Sequence, residues 1–131
     1  LKGEIKMASK TKNAADTEDT MEARAYLRFV RISPRKVKIV LDLIRGKDVG
    51  KAIGILKTTP KIASEYLYKL LRSAMANAEN NNHMDVTKLY VSECFVCPGP
   101  IMKRAMFRAQ GRTNRINKRS SHITIAVKEK A

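Results

Sequence analysis

Between Ser33 and Asn82 the apolar residues recur at helical spacing, and on either side of that block they alternate. This change of period constrains the fold more than any single motif, because each period buries its apolar residues in a different kind of layer. In "ISPRKVKIVLDLIRGK", Val37, Val40, Leu41 and Ile44 share one helical face, while Arg35, Lys38 and Arg45 fall on the other. Ser33 before Pro34 marks a helix start, since proline at the first helical position gives up only an N–H that would have no partner there. Gly46 suits a left-handed stop. Asp48 opens a second helix carrying Val49, Ala52, Ile53 and Leu56 on one face. Gly50 and Gly54 weaken it by up to ~1 kcal/mol each relative to alanine, so packing must hold it. Thr59–Pro60 repeats the cap-then-proline arrangement before the third helix. There Ala63, Leu67, Leu70, Leu71, Ala74 and Ala78 form one stripe, Glu65 and Lys69 pair at i,i+4, and Asn80 to Asn82 end the run.

The flanking segments read as strands. In "EARAYLRFVRI", Ala25, Leu27 and Phe29 alternate with Arg24, Tyr26 and Arg28. "VTKLYVSECFV" is a second strand, and "SHITIAV" a third with Ile123, Ile125 and Val127 on one face. One strand, three helices and two later strands predict a compact α+β domain, its helices against an antiparallel sheet. The chain of 131 residues suits a single domain over 23–131. Residues 1–22 are polar, mixed in charge and aperiodic, and are expected to form a flexible tail. No internal repeat of fixed long period is present, which excludes solenoids.

Charge narrows the partner. Lys and Arg number 27 against 12 Asp and Glu, a net +15, and the first 23 residues are close to neutral. Such an excess repels itself unless a polyanion relieves it, and nucleic acid is the commonest one. A membrane fits less well, because the longest uncharged run, Cys94 to Met102, is far shorter than the ~20 residues a spanning helix needs. No charged-then-apolar leader opens the sequence, and with only two cysteines the chain reads as intracellular, in a reducing compartment.

The excess concentrates in "GPIMKRAMFRAQGRTNRINKRSSHITIAV", Gly99 to Val127, which holds no acid. "CPGPIM" provides an extended approach, because a residue before proline is pushed to extended geometry. "RAQGRTNR" provides a tip, with Gly111 and in part Asn114 tolerating a left-handed backbone. "RINKRSSHITIAV" returns into the third strand. The segment therefore predicts a hairpin over about 98–120, with arms of about ten residues reaching on the order of 30 Å. Lys103, Arg104, Arg108, Arg112, Arg115, Lys118 and Arg119 are its candidate phosphate ligands, and arginine can also stack on bases.

Chemistry other than binding finds little support. Cys94 and Cys97 form a lone C-x-x-C that His83 and His122 could in principle extend to a zinc site. On a strand, residues three apart point to opposite faces, so the two thiols are expected not to converge. The acids after residue 23 are scattered, and no nucleophile elbow, P-loop or dinucleotide fingerprint occurs. The expectation is a protein with no catalytic residue, metal or cofactor.

"RISPRKVKIVLDLIRGK", "KLLRSAMANAENN", "LYVSE", "GPIMKRAMFRAQGR" and "NKRSSHITIAV" stand in the order found in one known family. Over about residues 23–129 the chain resembles the bacterial-type large-subunit ribosomal protein twenty-two family. The resemblance implies a three-stranded antiparallel sheet packed with three helices, plus a long protruding β-hairpin between the last two strands. It implies a structural constituent of the large subunit that binds 23S-type rRNA, supports assembly and lines the nascent-peptide exit tunnel. The implied partners are that rRNA, neighbouring ribosomal proteins and the nascent polypeptide, in the ribosomes of the cytoplasm or of an organelle. By position, Met102, Lys103 and Arg104 match the arm near the tunnel narrowing. Arg108, Ala109, Gln110, Gly111, Arg112 and Thr113 match the tip, while Arg35, Lys36 and Lys38 match the basic start of the first helix. Phe107 and Thr113 depart from the pattern, where relatives commonly carry proline and often alanine, and Cys97–Pro98 replaces a commonly more acidic pair. The alternative is a freestanding basic nucleic-acid-binding protein, which would share the charge but not the particle.

Overall fold

The computed structural model describes residues 21–131. The predicted tail thus lies, up to residue 20, outside the described residues, and Glu22 is already a strand residue paired with Lys128. In chain order the elements are β1 (Glu22–Val30), α1 (Pro34–Ile44), α2 (Val49–Thr58), α3 (Ile62–Asn82), β2 (Leu89–Pro98), β3 (Met102–Phe107), β4 (Thr113–Lys118) and β5 (Ser121–Glu129). A single 3-10 turn, Val86–Lys88, leads into β2. β5 is the central strand of a three-stranded sheet, antiparallel to β1 on one side and β2 on the other. β3 and β4 form a separate two-stranded hairpin between β2 and β5. The predicted α+β architecture is therefore the observed one.

The core lies between the helices and one face of the sheet. Val37, Val40, Leu41 and Ile44 of α1 are fully shielded, as are Leu67, Leu71, Ala74 and Ala78 of α3. They meet Ile123, Ile125 and Val127 of β5 and Val91 of β2. The alanines of α3 let its backbone approach the sheet closely, and α3 packs chiefly on β1. Burying a Leu or Ile here stabilises by roughly 1.5–3 kcal/mol, and this term dominates the fold.

Local signals hold with three corrections. Ser33 occupies the cap position of α1, but its side chain makes no capping bond, so proline alone marks that start. α3 begins at Ile62 rather than directly after Pro60. The reason is that Thr59 caps the end of the preceding helix: its N–H and Oγ1 both donate to the Ile55 carbonyl, at 3.0 and 2.7 Å.

Phe29 is the third correction, since it leaves the buried face on which the alternation put it. Its φ is +58° and the residue is 65% exposed. The ladder with β5 shifts register between Leu27 and Val30, and the extra residue of this bulge returns Val30 to the core. The Phe29 N–H donates to His122 Nδ1 at 3.0 Å, and the two rings meet edge to face at 4.8 Å. A left-handed phenylalanine is costly, and these two contacts hold it.

Candidate nucleic-acid interface

The hairpin is built from pairs that run from Met102–Lys118 at the root to Phe107–Thr113 near the tip. Each strand is six residues long, shorter than the predicted arms, because β2 and β5 take the flanking residues into the main sheet. The pleat divides the residues into two faces. Met102, Arg104 and Met106 share one with Ile116 and Lys118; Lys103, Ala105 and Phe107 share the other with Thr113 and Arg115. Every residue from Ile101 to Arg115 is exposed. The hairpin consequently buries almost nothing of its own, and cations project from both faces.

At the tip, the Arg108 N–H donates to the Arg112 carbonyl at 2.7 Å and closes the ladder. Ala109–Gly111 form a single tight turn in which Gln110 and Gly111 have φ of +57° and +70°. Gly111 is left-handed as predicted. Asn114 is not: it pairs with Met106 inside β4, and Gln110 takes the second left-handed position.

Sequence reasoning missed the fastening of the root. The Gly99 N–H donates to the Ser120 carbonyl at 2.9 Å, and Ser120 Oγ donates to the Pro100 carbonyl at 2.6 Å. Ser121 Oγ donates to the Ile32 carbonyl at 3.0 Å, and the Arg31 guanidinium donates to the Arg119 carbonyl. A side chain at Gly99 would put its Cβ 2.7 Å from Ser120 Oγ, so any other residue there must displace that hydroxyl. The available signal was "SS" beside the third strand, facing "PGP" in the second.

Electrostatically the hairpin and the globular part differ. Asp48 receives Lys130 and Lys51, and the Lys130 bond holds its carboxyl below the ordinary range. Asp85 is held low by the Thr87 hydroxyl and N–H, at 2.7 and 3.0 Å. Burial pushes Glu22 up, but hydrogen bonds from Arg24 and Ser92 outweigh it and leave the group lowered. These three acids are thus used on the domain. Among the described residues, no acid pairs with Lys103, Arg104, Arg108, Arg112, Arg115, Lys118 or Arg119.

Arg35, Lys36 and Lys38 stand on the exposed side of α1. Arg35 and Arg119 line one small cleft with Ser33 and Pro34, so the helix start and the hairpin root join into one basic surface. The tip cations Arg108 and Arg112 lie at the far end of the ladder from that surface. The cysteines separate: Cys94 is buried, its thiol pushed up by burial, and Cys97 is exposed. No metal-holding cluster occurs among the described residues. No helix among them is long and apolar enough to cross a membrane.

Residues 25–128 match the family described as Ribosomal protein L22p/L17e. The large ribosomal subunit protein uL22 of Clostridium novyi (strain NT) is 57% identical over 111 residues, covering 85% of this chain and 100% of the relative. The uL22 protein of Clostridium tetani (strain Massachusetts / E88) is 56% identical, covering 84% of this chain and 99% of the relative. That of Halothermothrix orenii is 59% identical, covering 84% and 97%. The family match takes in all three helices, β2, β3 and β4 and most of β1 and β5, and the chain belongs to the ribosomal protein L22p/L17e family.

Proposed function

We propose that this chain is a structural constituent of the large ribosomal subunit, a binder of 23S-type rRNA and not a catalyst. The basic start of α1 and the hairpin root anchor it to rRNA, and the hairpin lines the tunnel through which the nascent polypeptide leaves. One observation carries the reading: an acid-free hairpin whose strands hold no buried residue stands on a core that closes without it. An element that buries nothing internally is built to be covered by something else, and unpaired cations favour a phosphate backbone. The relatives bearing the name of a large-subunit protein support the same assignment. Assembly then joins the chain to rRNA and neighbouring ribosomal proteins in the cytoplasmic ribosome pool.

Sedimentation of lysate tests this directly, with the chain expected in the large-subunit fraction. Photo-crosslinkers at Arg108 and Arg112 should reach both rRNA and emerging peptide. Large subunits that sediment intact while the chain remains free would overturn the assignment and favour a freestanding nucleic-acid binder.

A further inference from the structure

Beside the hairpin root, the starts of α1 and α3 enclose an open groove of about 800 Å³. Its rim carries Arg31, Lys36, Lys61, Lys118 and Arg119, and no acidic side chain among the described residues lines it. Its floor is apolar. Ile39, Ile62 and Tyr66 line it and are 62%, 76% and 39% exposed. A basic face that only meets a duplex backbone has no use for such a floor, and a closed core would not leave these side chains open. The Arg31 guanidinium, bonded to the Arg119 carbonyl, ties the β1–α1 connection to the hairpin root and holds two walls of the groove together.

We propose that this groove seats one unpaired nucleotide of RNA, its base against Tyr66, Ile39 and Ile62 and its flanking phosphates on the basic rim. The inference rests on the reading of the chain as an rRNA binder and names what one part of its surface recognises. A groove of this volume suits a ligand of small-molecule size. In an RNA duplex the base faces are stacked away, whereas a bulged or looped base presents its π-face to an aromatic ring. Charge complementarity favours RNA over a protein segment: an apolar peptide would cover the floor and leave the rim cations crowded without counter-charge. RNA supplies an apolar face and phosphates together.

The test uses the full chain with an RNA hairpin bearing a single 2-aminopurine bulge, and with the same hairpin fully paired. The bulged RNA is expected to bind about tenfold more tightly, as for one stacked base, with 2-aminopurine fluorescence quenched on binding. Tyr66→Ala should abolish this preference and Tyr66→Phe retain it. Ile62→Ser alters a side chain that contributes nothing to the core, and should reduce the preference in a folded chain. Equal affinity for the two RNAs, or a preference that survives Tyr66→Ala, overturns the groove assignment while RNA binding stands. Failure to bind either RNA overturns both readings. In assembled subunits, a photo-crosslinker at Ile62 should yield RNA adducts, and adducts to a protein instead would overturn the proposal.

Discussion

Phe107 and Thr113 face each other across the hairpin as the last pair of its ladder before the tip. The resemblance marks both as expected departures from the family pattern, and the fold sets the two opposite each other. Directly opposed residues in an antiparallel pair bring their Cβ atoms within about 5.5 Å, and the Phe107 ring is 86% exposed. Phe107→Ala is expected to leave thermal stability within about 0.5 kcal/mol, as for an exposed side chain without partners in the core. The change should appear in tip-to-peptide crosslinking within particles. A large loss of stability in the isolated chain would show that the tip supports the fold.

Replacing 102–118 by a short turn should likewise preserve the melting temperature of the domain, because no residue of that range is buried. Leu67→Ala makes the contrast. It empties a fully shielded position of α3 and should cost about 2–5 kcal/mol. Thermal unfolding of the two variants side by side measures the difference.

Gly99→Ala should loosen the hairpin root. The new Cβ would displace Ser120 Oγ from its 2.6 Å bond to the Pro100 carbonyl, at a cost of about 0.5–1.5 kcal/mol. If that is the mechanism, Ser120→Ala combined with Gly99→Ala costs less than the two changes added. Hydrogen exchange at the Gly99 and Phe29 amides reports the opening locally.

The thiols should react unequally. Cys97 is exposed on β2, and a small alkylating reagent is expected to modify it in the folded chain. Cys94 is buried beside the Leu41 carbonyl, and burial raises its pKa, which leaves it in the unreactive thiol form. Mass spectrometry after brief alkylation should find one modified cysteine, and both after denaturation.

Acid should weaken the domain through Glu22, Asp48 and Asp85, whose carboxyls are all held low in the folded chain. A lowered native value contributes stability above the unfolded value, and that contribution is lost as pH falls through the native one. Stability should therefore hold from neutrality to about pH 4 and fall below it. Asp48→Asn, which removes the Lys130 and Lys51 partner, should make the acid limb of the melting-temperature profile shallower.

The helices were legible because their signals are local: the apolar stripes of α1 and α3 repeat at a period that few alternatives satisfy. The hairpin was legible because β3 and β4 follow each other closely around a glycine. What sequence periodicity did not reveal was non-local. Phe29 leaves the core because His122, far along the chain, accepts its N–H, and no rule of alternation contains that bond. Thr59 fits two roles by composition, and geometry gives it to α2. Ser120, Ser121 and Arg31 fasten the root through carbonyl groups that carry no residue-specific signal. The groove at Tyr66 brings together three distant segments and has no linear trace.

A hairpin that contributes nothing to the core has an evolutionary consequence. Cellular quality control recognises unfolded chains, so it culls variants at Leu67 or Ile125 before they ever reach a partner. Changes from Met102 to Lys118 pass that filter unseen, since the molecule folds equally well with them. Only the performance of the finished particle can select among them. Selection on folding and selection on the particle thus act on separate parts of one chain, Leu67 and Ile125 answering to the first and Phe107 to the second.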